Sequence, residues 1–178
     1  MFDEADITKK KPLKKITKQR LTNIALYYLQ RFESSVANLK ALLLKKINAY
    51  ALQNPDFDKS QAFLWVDEIL ESFQAHNYLN DARFAEMRIR DYLAAGKSEK
   101  YIKTKLFEKG ISPTLVAQLL SDFEFSSYDN ALRLAKKKRI GPYREEANRK
   151  AFWQKDMGVL VRAGFDYDVA LKVMETQI

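Results

Sequence analysis

A helix-ending signature occurs twice in this chain, and it constrains the fold more than any other feature. The first copy is Lys109-Gly110-Ile111-Ser112-Pro113, and the second, 54 residues later, is Ala163-Gly164-Phe165-Asp166. In each copy a glycine supplies the left-handed turn that ends one helix, an apolar residue follows, and Ser112 or Asp166 is expected to cap the next helix. A helix-turn-helix unit used twice predicts small helical modules in tandem.

Apolar residues recur with a helical period along almost the whole chain. The first such run places its members on one face of a helix: Leu21, Ile24, Ala25, Tyr28, Leu29 and Phe32. No segment alternates apolar and polar residues between turn signals, so the sequence predicts an all-α fold. Helices this short are not stable alone in water, and we expect them to pack as units of two or three.

The turn signals divide the chain into three predicted tandem helical repeats, residues 20–52, 62–122 and 127–177. Residues 1–19 are expected to form a basic, poorly ordered leader without the apolar core of a signal peptide. In the third repeat, a long helix is predicted from about Tyr143 to Ala163.

The composition argues against several classes of function. The 178 residues include no cysteine and a single histidine, His76. The chain therefore cannot form a disulfide, a thiolate metal site or a metal site with two histidines. No glycine-rich phosphate loop or nucleophile elbow is present. No apolar run approaches the roughly 20 residues of a membrane span. We therefore expect a cytoplasmic protein with no catalytic residue, metal or cofactor.

The net charge of +8 is distributed in blocks. Residues 83–109 carry eight Lys/Arg against four acids, and residues 133–155 carry nine against two. By contrast, residues 54–75 hold five acids against one lysine. Such blocks predict separate basic surfaces, which attract nucleic acid or another polyanion.

The candidate binding residues are the lysines and arginines of these two basic stretches. In the second repeat they are Arg83, Arg88, Arg90, Lys103, Lys105 and Lys109, and in the third they are Arg133, Lys136, Lys137, Lys138 and Arg139. Further cations follow at Arg144, Arg149, Lys150 and Lys155. Side chains of this kind on successive short helices can track a phosphate backbone. For any single residue, the alternative is a solvated helix face whose aliphatic stem covers the core.

Aromatic side chains offer a second means of binding unpaired bases, by stacking. Most of them, including Tyr27 and Tyr28, lie at helical spacing among leucines and isoleucines and are interpreted as core residues. Trp65 and Tyr101 fall off the main apolar stripes and are the better surface candidates.

Several of these motifs, in this order and spacing, resemble the RecX family of regulatory proteins. The matching segments are Leu79-Asn80-Asp81-Ala82-Arg83-Phe84-Ala85, Gly96-Lys97-Ser98, Leu106-Phe107-Glu108-Lys109-Gly110-Ile111 and Leu160-Val161-Arg162-Ala163-Gly164-Phe165-Asp166-Tyr167-Asp168-Val169. The first repeat is similar to the opening repeat of that family, although Asn38-Leu39 stands where an acidic-Leu pair is usual.

The resemblance implies three tandem three-helix repeats in an elongated, curved monomer. It further implies a protein that binds the filament of the RecA recombinase on DNA and restrains its ATPase, strand-exchange and coprotease activities. Two alternatives stay open on the residues alone. One is a stand-alone nucleic-acid-binding protein, and the other is a metal-dependent nuclease that uses surface carboxylates such as Glu145 and Glu146.

Overall fold

The computed structural model describes residues 13–123 and 125–177, which form nine α-helices and one short 3-10 helix. The prediction of an all-α fold is confirmed. The helices are α1 (Lys18–Leu29), α2 (Val36–Ala51), α3 (Lys59–Ala75), α4 (Asp81–Ala94), α5 (Glu99–Phe107), α6 (Pro113–Ser121), α7 (Ser127–Lys138), α8 (Glu146–Arg162) and α9 (Tyr167–Met174), with the 3-10 helix at Gly141–Tyr143.

The chain divides into two compact units, with the boundary between Leu79 and Asn80. In the first unit, α1, α2 and α3 pack around one apolar core. The second unit contains two cores, one shared by α4, α5 and α6 and one shared by α7, α8 and α9. Short helices thus reach stability in groups of three, each group burying its own apolar faces.

The structure corrects three predicted boundaries. The second repeat was predicted to start at residue 62, but α3 packs with α1 and α2 because Val66, Ile69 and Phe73 enter the first core. The leader was predicted to reach residue 19, yet Ile16 is only 4% exposed and Thr17 caps α1. The rest of that leader, residues 1–12, lies outside the described residues.

The third correction concerns the start of the long helix in the last group. A helix was predicted from Tyr143, but Tyr143 ends the 3-10 helix and α8 begins only at Glu146. The proline at position 142 sits inside the 3-10 helix, where a fixed φ is compatible with the turn.

Hydroxyl, amide and carboxylate side chains begin seven of the nine α-helices of the described chain. Each accepts a hydrogen bond from a backbone N–H in the first turn: Thr17, Ser35, Asp58, Asn80, Ser98, Ser112 and Ser126. This is the usual way in which the unpaired N–H groups of a helix start are satisfied. Asp166 was also predicted to cap a helix; it occupies the position before α9 but its side chain accepts no capping hydrogen bond.

The two copies of the helix-ending signature adopt the same turn. Gly110 and Gly164 have φ values of 76° and 90°, in the left-handed region. After each glycine, the N–H of the next residue donates to the carbonyl five residues earlier, Ile111 to Leu106 and Phe165 to Leu160. The apolar residue that follows the glycine is buried in both copies. The sequence signature therefore encodes a helix end that also contributes to the core.

The same turn ends α7, but an arginine takes the place of the glycine. Arg139 has φ 52° and ψ 50°, and the N–H of the buried Ile140 donates to the carbonyl of Ala135. A side chain in the left-handed region costs roughly 1 kcal/mol relative to glycine. Arg139 therefore adopts a backbone conformation that residues other than glycine disfavour.

The groups α4–α6 and α7–α9 are joined where their turns meet. The Ser98 hydroxyl donates to the carbonyl of Ala163 at 2.7 Å, and the Asn130 amide donates to the carbonyl of Lys97 at 3.4 Å. Gly164 lies so close that a Cβ there would stand 2.7 Å from Ser98 Oγ. The two turns therefore fit together only when residue 164 has no side chain.

Replacing Gly164 by alanine should destabilise the protein more than the same change at Gly110. Both variants place a Cβ in a left-handed turn, at a cost of roughly 1 kcal/mol. Only the change at Gly164 also pushes Ser98 Oγ away from Ala163, breaking a buried hydrogen bond worth roughly another 1 kcal/mol. Urea denaturation of both variants measures the difference, and equal losses of unfolding free energy would contradict the role of Ser98.

Candidate nucleic-acid interface

The densest cationic cluster lies at the end of α7. Lys136, Lys137 and Lys138 form its last turn, Arg139 follows, and all four side chains are exposed. Within the described part of the chain, none of the four forms an ion pair with an acid. The helix C-terminus carries partial negative charge and stabilises nearby cations. The backbone thus holds four positive charges together at a surface where they remain available to an anionic partner.

The loop after this α7 cluster is fixed by one buried carboxylate. Asp156 of α8 is 1% exposed and accepts two hydrogen bonds of 2.7 Å from the guanidinium of Arg144 and one of 3.0 Å from the N–H of Gly141. Burial by itself would raise the pKa of the Asp156 carboxyl. The hydrogen bonds and the positive charge of Arg144 outweigh burial and lower that pKa below its ordinary value.

A second arginine completes the support of this loop. The Arg149 guanidinium donates to the carbonyls of Arg144 and Pro142, at 2.9 and 2.7 Å. The Arg144 guanidinium also stacks over the Phe152 ring, 4.4 Å from its centroid. Two of the cations that follow the α7 cluster in sequence therefore serve the loop, and their charge and hydrogen bonds are directed inward.

The predicted contacts on α4 and α5 have a different environment. Four of the six pair with acids one helical turn away: Arg88 with Asp91, Arg90 with Glu86, Lys103 with Glu99 and Lys105 with Glu108. The hydrogen bond to Glu108 raises the pKa of the Lys105 ammonium. The other two, Arg83 and Lys109, are exposed. These pairs lower the net positive charge of the surface, so α4 and α5 attract a polyanion less than the end of α7 does.

Arg133, the remaining candidate, lies at the junction between the two helix groups of the second unit. Its side chain is exposed and donates to the carbonyl of Leu93 at 3.4 Å. A Cβ at Gly96 would come within 3.2 Å of the Arg133 Cβ. Arg133 therefore contributes to the packing of the junction as well as to its charge.

A cleft of about 300 Å³ opens at the same junction. Three cations from three different elements border it: Lys97 from the turn before α5, Lys138 from the end of α7 and Arg162 from the end of α8. Tyr101 also lines the cleft, with the Lys97 ammonium 4.7 Å from the centre of its ring. The cleft extends the α7 cluster. No local pattern in the sequence indicates that Lys97 and Arg162 border the same cleft.

The two aromatic surface candidates are both half-buried. Trp65 packs against the core of the first unit, and Tyr101 makes an edge contact with Tyr92 at 5.5 Å between ring centres. By contrast Tyr27, which was interpreted as a core residue, is 56% exposed. Tyr27 and Tyr28 are consecutive residues of α1, so their side chains point in different directions. Only Tyr28 packs against the core.

The nuclease alternative finds no support in the geometry. Across residues 13–123 and 125–177, no three His, Cys, Asp or Glu side chains come together as metal ligands. The Glu145 carboxylate accepts a hydrogen bond from the Asn148 amide. In the same described ranges, no helix is long and apolar enough to cross a membrane.

Fold and surface together define a helical protein of three-helix bundles with a basic face. Residues 80–120 match a family model described as the second three-helix domain of RecX. The Regulatory protein RecX of Myxococcus xanthus is 32% identical over 170 residues, which cover 92% of this chain and 88% of that protein. The chain therefore belongs to the RecX family of regulatory proteins.

Other relatives share the family and the fold. The Regulatory protein RecX of Streptococcus sanguinis is 28% identical over 149 residues; the match covers 83% of this chain and 52% of that longer protein. A crystal structure of RecX from Lactobacillus salivarius superposes with a TM-score of 0.61 at 21% identity, covering 89% of this chain and 94% of the other. A second RecX crystal structure gives a TM-score of 0.63 at 19% identity, covering 89% and 72%.

Replacing Asp156 by asparagine should destabilise the protein by roughly 3 kcal/mol at neutral pH, because it removes the carboxylate from the buried ion pair between Asp156 and Arg144. Since folding lowers the pKa of Asp156, the native protein holds this stabilisation above the ordinary aspartate pKa of about 3.9 and loses it as the pH falls through the lower, folded value. The difference between native protein and variant should thus be constant above about pH 5 and shrink in stronger acid.

Denaturant melts of both proteins between pH 2 and pH 7 measure this dependence. Asp91→Asn is the matched control, because the Asp91 carboxylate pairs with Arg88 at an exposed site 3.5 Å away. Such a pair contributes at most about 1 kcal/mol. A difference for Asp156→Asn that does not change with pH would contradict the lowered pKa.

Proposed function

We propose that this chain binds the filament that the RecA recombinase forms on DNA and restrains its activities. The observation that carries the proposal is the cationic cluster at the end of α7, which has no acidic partner among the described residues, in a chain of the RecX family. A filament on DNA is a long polyanion in its DNA component, and cations free of acidic partners gain the most from approaching it. The chain acts in the cytoplasm as a monomer.

Restraint follows from binding alone, without a chemical step. A protein that binds one state of a recombinase more tightly than another shifts the population toward the bound state. If that state adds further subunits slowly or loses them quickly, ATP hydrolysis, strand exchange and coprotease activity all decline together. One regulator at a growing filament end affects many recombinase subunits, so the effect should appear below equimolar ratios.

The structure supports a ranking of the contacts. The α7 cluster and the cations of the junction cleft, Lys97 and Arg162, form one positive surface of the second unit. The α4 and α5 cations that pair with acids contribute less, because contact with phosphate first requires the loss of an existing pair. We therefore propose that the principal DNA contact lies in the last helix group and its junction with α4–α6.

A stand-alone nucleic-acid-binding protein is the second candidate, since the same unpaired cluster would bind naked DNA. The two functions differ in what they require. A filament modulator binds naked DNA weakly and acts in the presence of recombinase, whereas a stand-alone binder forms tight, salt-sensitive complexes with DNA alone.

The decisive experiment titrates this chain into RecA hydrolysing ATP on single-stranded DNA, beside binding to the same DNA without recombinase. Inhibition well below one chain per recombinase, with weak binding to naked DNA, is the expected result. An unchanged ATPase together with tight DNA binding would replace the proposal by the second candidate.

The variant Arg139→Gly separates binding from stability. Glycine relieves the left-handed backbone, so the melting temperature should rise by the equivalent of about 1 kcal/mol. The loss of a charge from the α7 cluster should at the same time weaken inhibition. A weaker inhibitor that is also more stable cannot owe its defect to unfolding, whereas undiminished inhibition would remove Arg139 from the contact surface.

A pair of double variants tests the ranking of the contacts. Lys136→Gln/Lys137→Gln removes two unpaired charges, and Lys103→Gln/Lys105→Gln removes two that pair with acids. The first pair should lower the salt dependence of filament binding by about one unit of slope per lost phosphate contact. The second pair should change it little, and equal effects of the two pairs would contradict the ranking.

A further inference from the structure

The first unit carries an open groove of about 900 Å³ between α1 and α2. Two hydrogen bonds hold the helices at its two ends. The N–H of Leu13, ahead of α1, donates to the Gln53 side chain just after α2, at 3.2 Å. Near the other end, the Asn38 amide at the start of α2 donates to the Tyr28 hydroxyl at 3.1 Å. The helices thus run antiparallel, and α1, with its 12 residues, makes the groove about 18 Å long.

The charged groups that border this α1–α2 groove are all cationic. They are Lys14, Arg20 and Lys46, and within the described residues none of the three forms an ion pair. No acid among the described residues borders the groove. On α3, Glu68 pairs with Lys18 and Asp67 pairs with Lys40.

One atom of the groove has an unmet hydrogen-bonding capacity. Arg20 Nε is buried and has no hydrogen-bond partner among the described residues, and no other buried side-chain nitrogen or oxygen in that part of the chain shares this condition. A buried donor without a partner costs roughly 1–3 kcal/mol. An anion in the groove would bring acceptors to the guanidinium of Arg20 and to the ammonium groups of Lys14 and Lys46, which border the same groove.

Three tyrosines also line the groove. Tyr27 is 56% exposed, and the Arg31 guanidinium lies over its ring, 4.0 Å from the centroid. Tyr28 and Tyr50 are half-buried along the same groove, and Tyr50 is held by an edge contact with Phe57 at 5.0 Å between ring centres. Rings that are fixed in this way can stack on a flat partner with little loss of side-chain entropy.

We propose that this α1–α2 groove binds single-stranded DNA, with bases against the tyrosines and phosphates at the three cations. A groove with cations along the strand and aromatic faces for the bases is the general design of single-strand binding sites. The bases have to be unpaired, because a duplex hides their faces in its stack. An acidic peptide would satisfy the cations but has no equivalent use for the exposed Tyr27 ring.

The choice of DNA over RNA rests on the proposed function, in which the partner is a filament on DNA. The groove lies in the first unit and is a contact separate from the α7 cluster of the second unit.

Photo-crosslinking to an oligothymidylate that carries 5-iodouracil tests the proposal on the full chain, and it captures weak complexes as well as strong ones. We expect peptide mapping to place a major crosslink at Tyr27. The crosslink should be lost in Tyr27→Ala and kept in Tyr27→Phe, which retains the ring. The control Tyr167→Ala removes an equally exposed tyrosine, 56%, from the second unit and should leave the crosslink unchanged. Crosslinks confined to the second unit would overturn the proposal.

Neighbouring lysines of α2 provide a matched test of the charges. Lys46 borders the groove, whereas the adjacent Lys45 does not. Lys46→Gln should reduce the salt dependence of single-strand binding by about 0.7 units of slope, the value for one phosphate contact, and Lys45→Gln should leave it unchanged. Equal slopes for the two variants would contradict the phosphate contact.

Competitors identify the occupant of the groove. Unlabelled oligothymidylate should abolish the Tyr27 crosslink, and a duplex of the same length should compete poorly. Polyglutamate or oligouridylate that competes better than the DNA strand would overturn the assignment to DNA. These measurements contain no recombinase, so they separate the two proposals: a Tyr27 crosslink without an effect on RecA ATPase supports the groove and refutes the filament function, and the reverse result refutes the groove alone.

Discussion

The structure depends on one constraint, which is that helices of 8 to 17 residues must find partners immediately along the chain. Sharp turns meet that constraint, because a left-handed residue reverses the backbone and at the same time sends the next apolar side chain into the core. Gly110 and Gly164 provide two such turns, and Ile111 and Phe165 are the buried residues that follow them. Ile111 is one of nine buried apolar residues in its core and Phe165 is one of eight in the other, counted over the described residues.

Much of this local structure could be predicted from the sequence, and much of the assembly could not. Caps such as Ser98 and Ser112 and the glycine turns were identified because they depend on residues a few positions apart. The group to which α3 belongs was missed, since an apolar stripe shows which face is buried but not which neighbour buries it. The sequence indicates Arg139 only as a cation, because a left-handed arginine has no sequence signature.

The candidate surfaces show the same division. A run such as residues 136–139 is visible in the sequence, and the structure adds that its charges have no acidic partners in the described chain. The pairing of Lys103 with Glu99 could have been inferred from their spacing of one helical turn. This ion pair makes α5 less attractive to a polyanion. Lys97 and Arg162 border one cleft, and Arg20 and Lys46 border one groove. The members of each pair are far apart in the chain, so their placement is visible only in three dimensions.

The contact between Ser98 and Gly164 also limits how a protein of this design can change in length. Each turn is fitted to the other, so an insertion or deletion in one has to be matched by a compensating change in the other. An appended helix group that carried a serine turn and a glycine turn in the same register would form the same junction. The junction therefore favours growth by whole three-helix repeats and disfavours gradual extension of a single helix.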